Sequence, residues 1–215
     1  MLARSANRLV RSVNHFKFSS RIIIAPFATS SSSTINKMSH TDAVKEALSN
    51  GKISHPTIDL SKTIDPTGQS VTDIIQGEHA LVETLYKQYQ SISDAKQKQG
   101  IAYNIIKLLS IHAACEEMVV YPFLKNKDGS KYKTLVDHAL NEHTQTKKDL
   151  YDLDNMEYGQ SGYDAKLSKV IEETLVHVKE EESELLPTLE KAATPEELKQ
   201  LAADFISAKS MAPGS

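Results

Sequence analysis

The chain has 215 residues, a formal net charge of −3, eight histidines and one cysteine. With Cys115 alone, an intramolecular disulfide is excluded and a thiolate-bound iron–sulfur cluster has no ligands. No apolar run approaches the roughly 20 residues that span a bilayer; the best, Ile22 to Ile24, is broken by Pro26, so no membrane span is expected.

Residues 1–41 differ in composition from the rest. They carry Arg4, Arg8, Arg11, Lys17, Arg21 and Lys37, a serine run from Ser30 to Ser33, and no acid before Asp42. Leu2, Ala6, Leu9, Val13 and Phe16 fall on one side of a helix and Arg4, Arg8 and Arg11 on another, the acid-poor amphipathic design of a mitochondrial targeting segment. This points to a matrix protein; translation from Met38 would instead give a shorter, cytoplasmic product. Without the segment, 19 basic and 28 acidic residues remain, a net charge near −9. Such a surface has no basic patch to neutralise phosphates, so nucleic acid is not an expected partner.

Residues 42–69 read as a short helix followed by a linker arm, with Pro56, Pro66 and Gly68 breaking any regular pattern. From Ser70 the pattern becomes helical, and Ser70 with Asp73 forms a capping pair. The apolar spacing predicts helices over about 71–93, 94–123, 131–154 and 164–191. Asn126, Asp128 and Gly129 separate the second from the third, and Gly159, Ser161 and Gly162 the third from the fourth. Links this short require antiparallel neighbours, so residues 70–191 are expected to form an all-α, up-down four-helix bundle. Pro122 and Pro187 should kink or end the second and fourth helices. Thr194-Pro195-Glu196-Glu197 starts a short extra C-terminal helix with an N-cap and Pro at the first position; residues 192–215 comprise that helix and a frayed tail.

Two stretches carry the same pattern: His112-x-x-x-Glu116-Glu117-x-x-x-x-Pro122 and His177-x-x-x-Glu181-Glu182-x-x-x-x-Pro187. Each follows a Glu-His pair, Glu78-His79 and Glu142-His143, at a His-to-His distance of 33 and 34 positions. With 16 Glu in the chain, eight His should meet a Glu four places on roughly 0.6 times by chance. Four such pairs occur: His79/Glu83, His112/Glu116, His138/Glu142 and His177/Glu181.

Residues four apart share a helix face, so one ion can touch both side chains. The apolar neighbours put that face inward. Ile105, Leu108, Leu109, His112, Glu116 and Val119 form one stripe, and Val170, Thr174, His177, Glu181 and Leu185 another. His79 lies between Ile75 and Val82, and His143 follows Val136 and Ala139. Burying these six groups without partners would cost several kcal/mol per carboxylate, a cost that a bound cation offsets. The candidate metal ligands are therefore His79, His112, Glu116, His143, His177 and Glu181.

Their neighbours receive plainer assignments. Glu78, Glu117 and Glu182 lie one residue from a candidate ligand, about 100° around the helix; a solvated face is the default for them, with support of a ligand from behind or a bridging role as the alternative. His138 and Glu142 should make a surface contact or support a ligand from behind, and Glu83 should face solvent. Tyr86 and Tyr121 could approach the site, yet aromatic residues in bundles are usually core. Cys115, three residues after His112, reads as a small buried hydrophobe.

In order and type, these six positions resemble the hemerythrin-like (HHE cation-binding) domain, and the likeness covers about 71–191. The resemblance implies an antiparallel four-helix bundle around a non-haem di-iron centre, with His79, His112, Glu116, His143, His177 and Glu181 as ligands and Glu116 and Glu181 bridging. The oxygen-carrying members have a further His four residues before the one on the third helix, where this chain has Ala139. They also carry their last acid five positions after the His, where Glu182 stands here. Four His and two Glu resemble instead the iron-handling and iron-sensing branch.

A mixed imidazole and carboxylate shell suits iron, manganese or zinc, and two irons are what the resemblance implies. The leading expectation is a protein that reversibly binds iron and oxygen or another small oxidant, in a storage, sensing or protective role. The alternatives are a di-iron oxidase or peroxidase, and a protein-interaction bundle that uses metal only to stay folded.

Overall fold

The computed structural model describes residues 68–212. The targeting segment, the short helix and nearly all of the linker arm lie outside the described residues. Among the described residues every regular element is helical, and no helix is long and apolar enough to cross a membrane.

Helix α1 spans Val71–Ser91. Its start is the expected capping box: Ser70 Oγ accepts from the Asp73 amide at 3.2 Å, and the Asp73 carboxylate accepts from the Ser70 amide at 2.8 Å. These two bonds satisfy amides that the first helical turn leaves without partners. Helix α2, Ala95–Cys115, begins where Asp94 Oδ1 accepts from the Gln97 amide at 2.8 Å. Gly100 lies inside α2 and marks no boundary.

The chain does not stop at either proline. A π-helical turn, Glu116–Val120, carries α2 into α3, Tyr121–Asp154. A second, Glu181–Leu185, carries α4, Tyr163–Glu180, into α5, Leu186–Ala192. In each turn the amide five residues on donates to the ligand-position carbonyl, Tyr121 to Glu116 and Leu186 to Glu181. A proline in an α-helix has no amide to donate, and its ring strikes the carbonyl four residues back. One extra residue in the turn relieves that conflict, so the helix runs on. Beyond Pro122 the chain breaks instead at Asp128, whose backbone is extended. The Asp128 carboxylate then accepts from the Lys131 amide at 3.0 Å and from Ser130 Oγ at 2.8 Å, which restarts the helix.

Four long helical runs thus form the up-down bundle. Gly162 joins the third run to the fourth with a positive φ of 90°, a conformation open to glycine at no steric cost. Helix α6, Pro195–Ser210, is the extra C-terminal helix, capped by Thr194 and Glu197 through bonds of 3.2 and 2.9 Å.

The core has two apolar clusters. One contains Leu81, Leu85, Ile101, Ile105, Leu108, Leu150, Leu167 and Ile171. The other holds Ile75, Ile111, Val120, Leu124, Val136, Leu185 and Leu189, with Leu201, Phe205 and Ala208 of α6 packed into it. A layer of buried His and Glu side chains from the middles of the bundle helices completes the interior.

Candidate metal centre

All six candidate ligands come together, each at 6% exposure or less. On one side, His79 Nε2 of α1 and His112 Nε2 of α2 approach to 3.2 Å; on the other, His143 Nε2 of α3 and His177 Nε2 of α4 approach to 2.9 Å. The two carboxylates connect the pairs. Glu116 Oε2 lies 3.3 Å from His112 Nε2 and 3.4 Å from His143 Nε2, and Glu181 Oε2 lies 3.5 Å from His79 Nε2 and 3.6 Å from His177 Nε2. Two four-donor sets result, His79, His112, Glu116, Glu181 and Glu116, His143, His177, Glu181, with the donor atoms of each set within 4.8 Å of one another. Both sets contain both glutamates.

The outer nitrogens show what the inner ones are prepared for. His112 Nδ1 donates to Glu78 at 2.8 Å, His177 Nδ1 to Glu142 at 2.8 Å, His79 Nδ1 to Glu182 at 2.9 Å and His143 Nδ1 to Glu117 at 3.2 Å. An ionised carboxylate can only accept, so the proton of each neutral ring sits on Nδ1 and the lone pair is left on Nε2. Four lone pairs then point into one space, together with carboxylate oxygens: both oxygens of Glu116 and Oε2 of Glu181 are buried without a hydrogen-bond partner. Unsatisfied buried acceptors cost free energy that protein alone does not recover here, and a cation is the group this donor set accepts.

This corrects the expectation for Glu78, Glu117 and Glu182, which do not simply face solvent. A residue one place from an inward ligand points toward the neighbouring helix of the bundle, where an imidazole of that helix meets it. The scheme is crossed and repeated. The Glu before each first His holds the second His of its own half, Glu78 for His112 and Glu142 for His177. The second Glu of each Glu-Glu pair holds a His of the other half, Glu117 for His143 and Glu182 for His79. The signal was present in the duplication, since both copies repeat the Glu-His and Glu-Glu pairs entire.

Charge in this layer follows from burial and partners. Burial pushes the Glu116 carboxyl well above its ordinary value, and the charges of Glu181 and Glu78 push it further. Glu181 is drawn down to about 2 against its own burial by the hydrogen bond with His79 and the charges of His177, His79 and His112. Like charges sharing one buried space thus push the two facing carboxyls in opposite directions. Burial lowers His112 and His143, opposed by Glu78 and Glu117 respectively. His79 is raised, because Glu181 and Glu182 together outweigh the burial that lowers it.

Tyr121 reaches the site because the π turn brings the residue five after Glu116 round to the inner face. Its hydroxyl donates to Glu181 Oε1 at 2.9 Å and lies 3.2 Å from His143 Nε2. The corresponding residue of the other half is Leu186, which has no polar group to offer. Tyr86 is elsewhere, donating to Ser168 Oγ at 2.8 Å. Cys115 is buried at 2% exposure, and burial raises its thiol to about 12, which leaves it unreactive. His138 is exposed and pairs with Glu180 at 2.8 Å, while Glu83 pairs with Lys87 at the surface.

Lys209 of α6 was not foreseen. It is 7% exposed and its ammonium donates to Glu78, the carboxylate behind His112. Phe205, one turn earlier, sets its ring centroid 6.4 Å from that of His112.

Residues 70–189 match the family model described as the hemerythrin HHE cation binding domain. The chain belongs to this family. It is 28% identical over 143 residues to an uncharacterised hemerythrin-like protein of Schizosaccharomyces pombe, covering 66% of this chain and 70% of that one. It is also 25% identical over 146 residues to a DNA nickase of Nostoc; the match takes 68% of this chain but only 41% of the nickase. The crystal structure of a hemerythrin HHE cation-binding-domain protein from Mycobacterium kansasii shares the fold, with a TM-score of 0.58, 19% identity, and coverage of 68% of this chain and 88% of that one. The chain is thus a cation-binding, hemerythrin-like protein, and its buried His and Glu cluster is compatible with metal binding.

Proposed function

We infer that this hemerythrin-like protein holds a pair of non-haem irons and binds oxygen or a related small oxidant, in a storage, sensing or protective role. One observation carries the reading: Glu116 and Glu181 each approach an imidazole of both His pairs, so two cations placed between the pairs would share two carboxylates. His79 and His112 would complete one coordination sphere and His143 and His177 the other. Imidazole with carboxylate suits iron, and also manganese or zinc. The family membership favours iron.

A bound metal pair supplies a Lewis-acidic position at which a small oxidant can be held or reduced. The rest is done by the chain. Glu78, Glu117, Glu142 and Glu182 fix the tautomer and orientation of the four imidazoles and raise their basicity. The two apolar clusters keep bulk water out of the layer. Tyr121 holds a proton at Oη beside Glu181 Oε1, where it orients that carboxylate. Burial and the charges of Glu116 and Glu181 hold the Tyr121 hydroxyl far above its ordinary value, so it stays a donor.

Metal analysis of protein expressed with iron should give close to two irons per chain, with an absorption spectrum that differs between aerobic and anaerobic samples. A metal content near zero would remove the reading. Full metal with no spectral response to oxygen, and melting that collapses on adding chelator, would favour a bundle that uses metal only to stay folded. Steady peroxide or oxygen consumption with a reductant would make the protein an enzyme.

We further propose that residues 1–41 direct the chain to the mitochondrial matrix, on the strength of their acid-free, amphipathic composition. A fluorescent fusion of the full chain should enter mitochondria, and one beginning at Met38 should stay in the cytoplasm.

A further inference from the structure

Hydroxyls on these helices mostly turn back on their own backbone. Thr84 donates to the Ala80 carbonyl, Ser110 to Ile106, Thr144 to Leu140 and Ser168 to Asp164, at 2.7 to 2.9 Å. Thr174 on α4 does not. It is 5% exposed, and its Oγ1 is buried with no hydrogen-bond partner. A buried hydroxyl left unpaired costs about 1–3 kcal/mol, and the bond four residues back that its neighbours use would remove the cost.

The Thr174 side chain lines a cavity instead. Its other walls are the four site imidazoles and Glu78, together with Val82, Leu109, Ala113, Thr146 and Val178. Of the whole lining only Thr146 and Val178 are more than marginally exposed, so the opening lies between α3 and α4. The free volume is about 20 Å³. A single water needs roughly 10–15 Å³ of such space, so the cavity admits a ligand of one or two heavy atoms and no organic substrate. Apolar side chains cover most of the wall away from the imidazoles.

We propose that Thr174 Oγ1 is the donor that holds a one- or two-heavy-atom ligand, dioxygen, peroxide or water in class, in the cavity against the His layer. The inference rests on the cation reading of that layer and adds the ligand's size, its entry side and the group that recognises it. Thr146, the other hydroxyl of the lining, lies at the partly exposed mouth, and Glu78 is already engaged by His112 and Lys209, so Thr174 Oγ1 is the buried hydroxyl of the wall left free to distinguish a ligand with an acceptor atom from one without. Because the cavity is full at two heavy atoms, larger oxidants are excluded by volume.

The probe is nitric oxide, added anaerobically to the ferrous-loaded full chain. Thr174→Val, which keeps shape and removes the hydroxyl, should release nitric oxide about threefold to tenfold faster, the range of one hydrogen bond, with iron content unchanged. Thr174→Ser should stay within about twofold of the native chain. In the metal-free protein Thr174→Val should melt no lower than the native chain, since the unpaired hydroxyl is gone. Equal release rates at full iron content overturn the role of Thr174 and leave the metal reading intact. A lower apoprotein melting temperature for Thr174→Val that Thr174→Ser does not share would make the hydroxyl structural and also overturn it. Absence of iron from the native chain would bring down both readings.

Discussion

His112 and His177 occupy equivalent places in the two halves of the site, and each gives its Nδ1 proton to the Glu that precedes the other His of its half. Their surroundings differ. Behind His112, Glu78 is 2% exposed and is neutralised by Lys209 of α6; behind His177, Glu142 is a quarter exposed, with the exposed His138 3.5 Å away. A helix added outside the bundle closes the α1/α2 half behind His112, although Glu182 behind His79 is 39% exposed, and the α3/α4 half stays near solvent behind His177, on the side where the Thr174 cavity opens. An ammonium and a carboxylate buried together cost several kcal/mol in desolvation, which only good geometry offsets. A duplicated ligand set can thus remain symmetric at its inner atoms while its outer groups give the halves different access and different charge.

The largest expected effect tests the shared groups. Glu116→Ala removes a carboxylate common to both donor sets, so bound metal should fall toward zero, whereas His177→Ala should leave the α1/α2 half able to retain metal. Equal losses from the two variants, measured by metal analysis after gel filtration, would mean that the halves do not bind separately.

Next is the sealed ion pair. Lys209→Met leaves Glu78 buried without its cation and should cost about 3–5 kcal/mol in urea unfolding. Lys147→Met in the other half removes a partly exposed partner of Glu117, which lies 2.6 Å away, and should cost less than about 1 kcal/mol. Similar values would erase the contrast between the halves.

The Glu78 pair also sets a pH window. Burial alone would raise Glu78, yet the His112 hydrogen bond and the Lys209 charge bring it from 4.5 down to about 2. A carboxyl depressed on folding contributes stability that is fully present above its unfolded value and lost as pH falls through the folded one. The metal-free protein should therefore lose this contribution between about pH 4.5 and pH 2, and Lys209→Met should flatten that part of the profile. A superimposable stability–pH curve for the variant would contradict the assignment.

The smallest effect concerns the open half. Glu142→Gln keeps size but no longer holds His177 Nδ1–H as an anion, and metal affinity should drop roughly tenfold. His138→Ala, at the exposed end of the same contact, should change it little.

Much of the inner site was legible because ligand spacing and helix period agree. His112 with Glu116, and His177 with Glu181, must share a face at four residues' separation, and Leu108, Leu109, Val170 and Leu185 identify that face as inward. The capping pairs at Ser70 and Thr194 were legible for the same local reason, since a side chain and an amide three residues apart meet in any helix start.

Other features could not be read from one helix at a time. Whether a residue 100° from a candidate ligand meets water or another helix depends on what packs beside it, which is why spacing alone leaves Glu78, Glu117 and Glu182 between a solvated face and a supporting role. Prolines at 122 and 187 signal a break by local rules, but the flanking helix is held on both sides by the core, so the chain widens by one residue and continues, carrying Tyr121 to the site. Lys209 lies 131 positions from Glu78, and no spacing rule connects residues so distant.

By itself, then, the amino-acid order determined the helices, their inward stripes and the six converging candidate ligands, because these are set by backbone periodicity over a few turns. Tertiary packing decided which carboxylate orients which imidazole, how far each half is closed from water and where an unpaired hydroxyl borders empty space. Those outcomes depend on what a neighbouring helix presents across a gap of a few ångströms, which is a property of the assembled bundle.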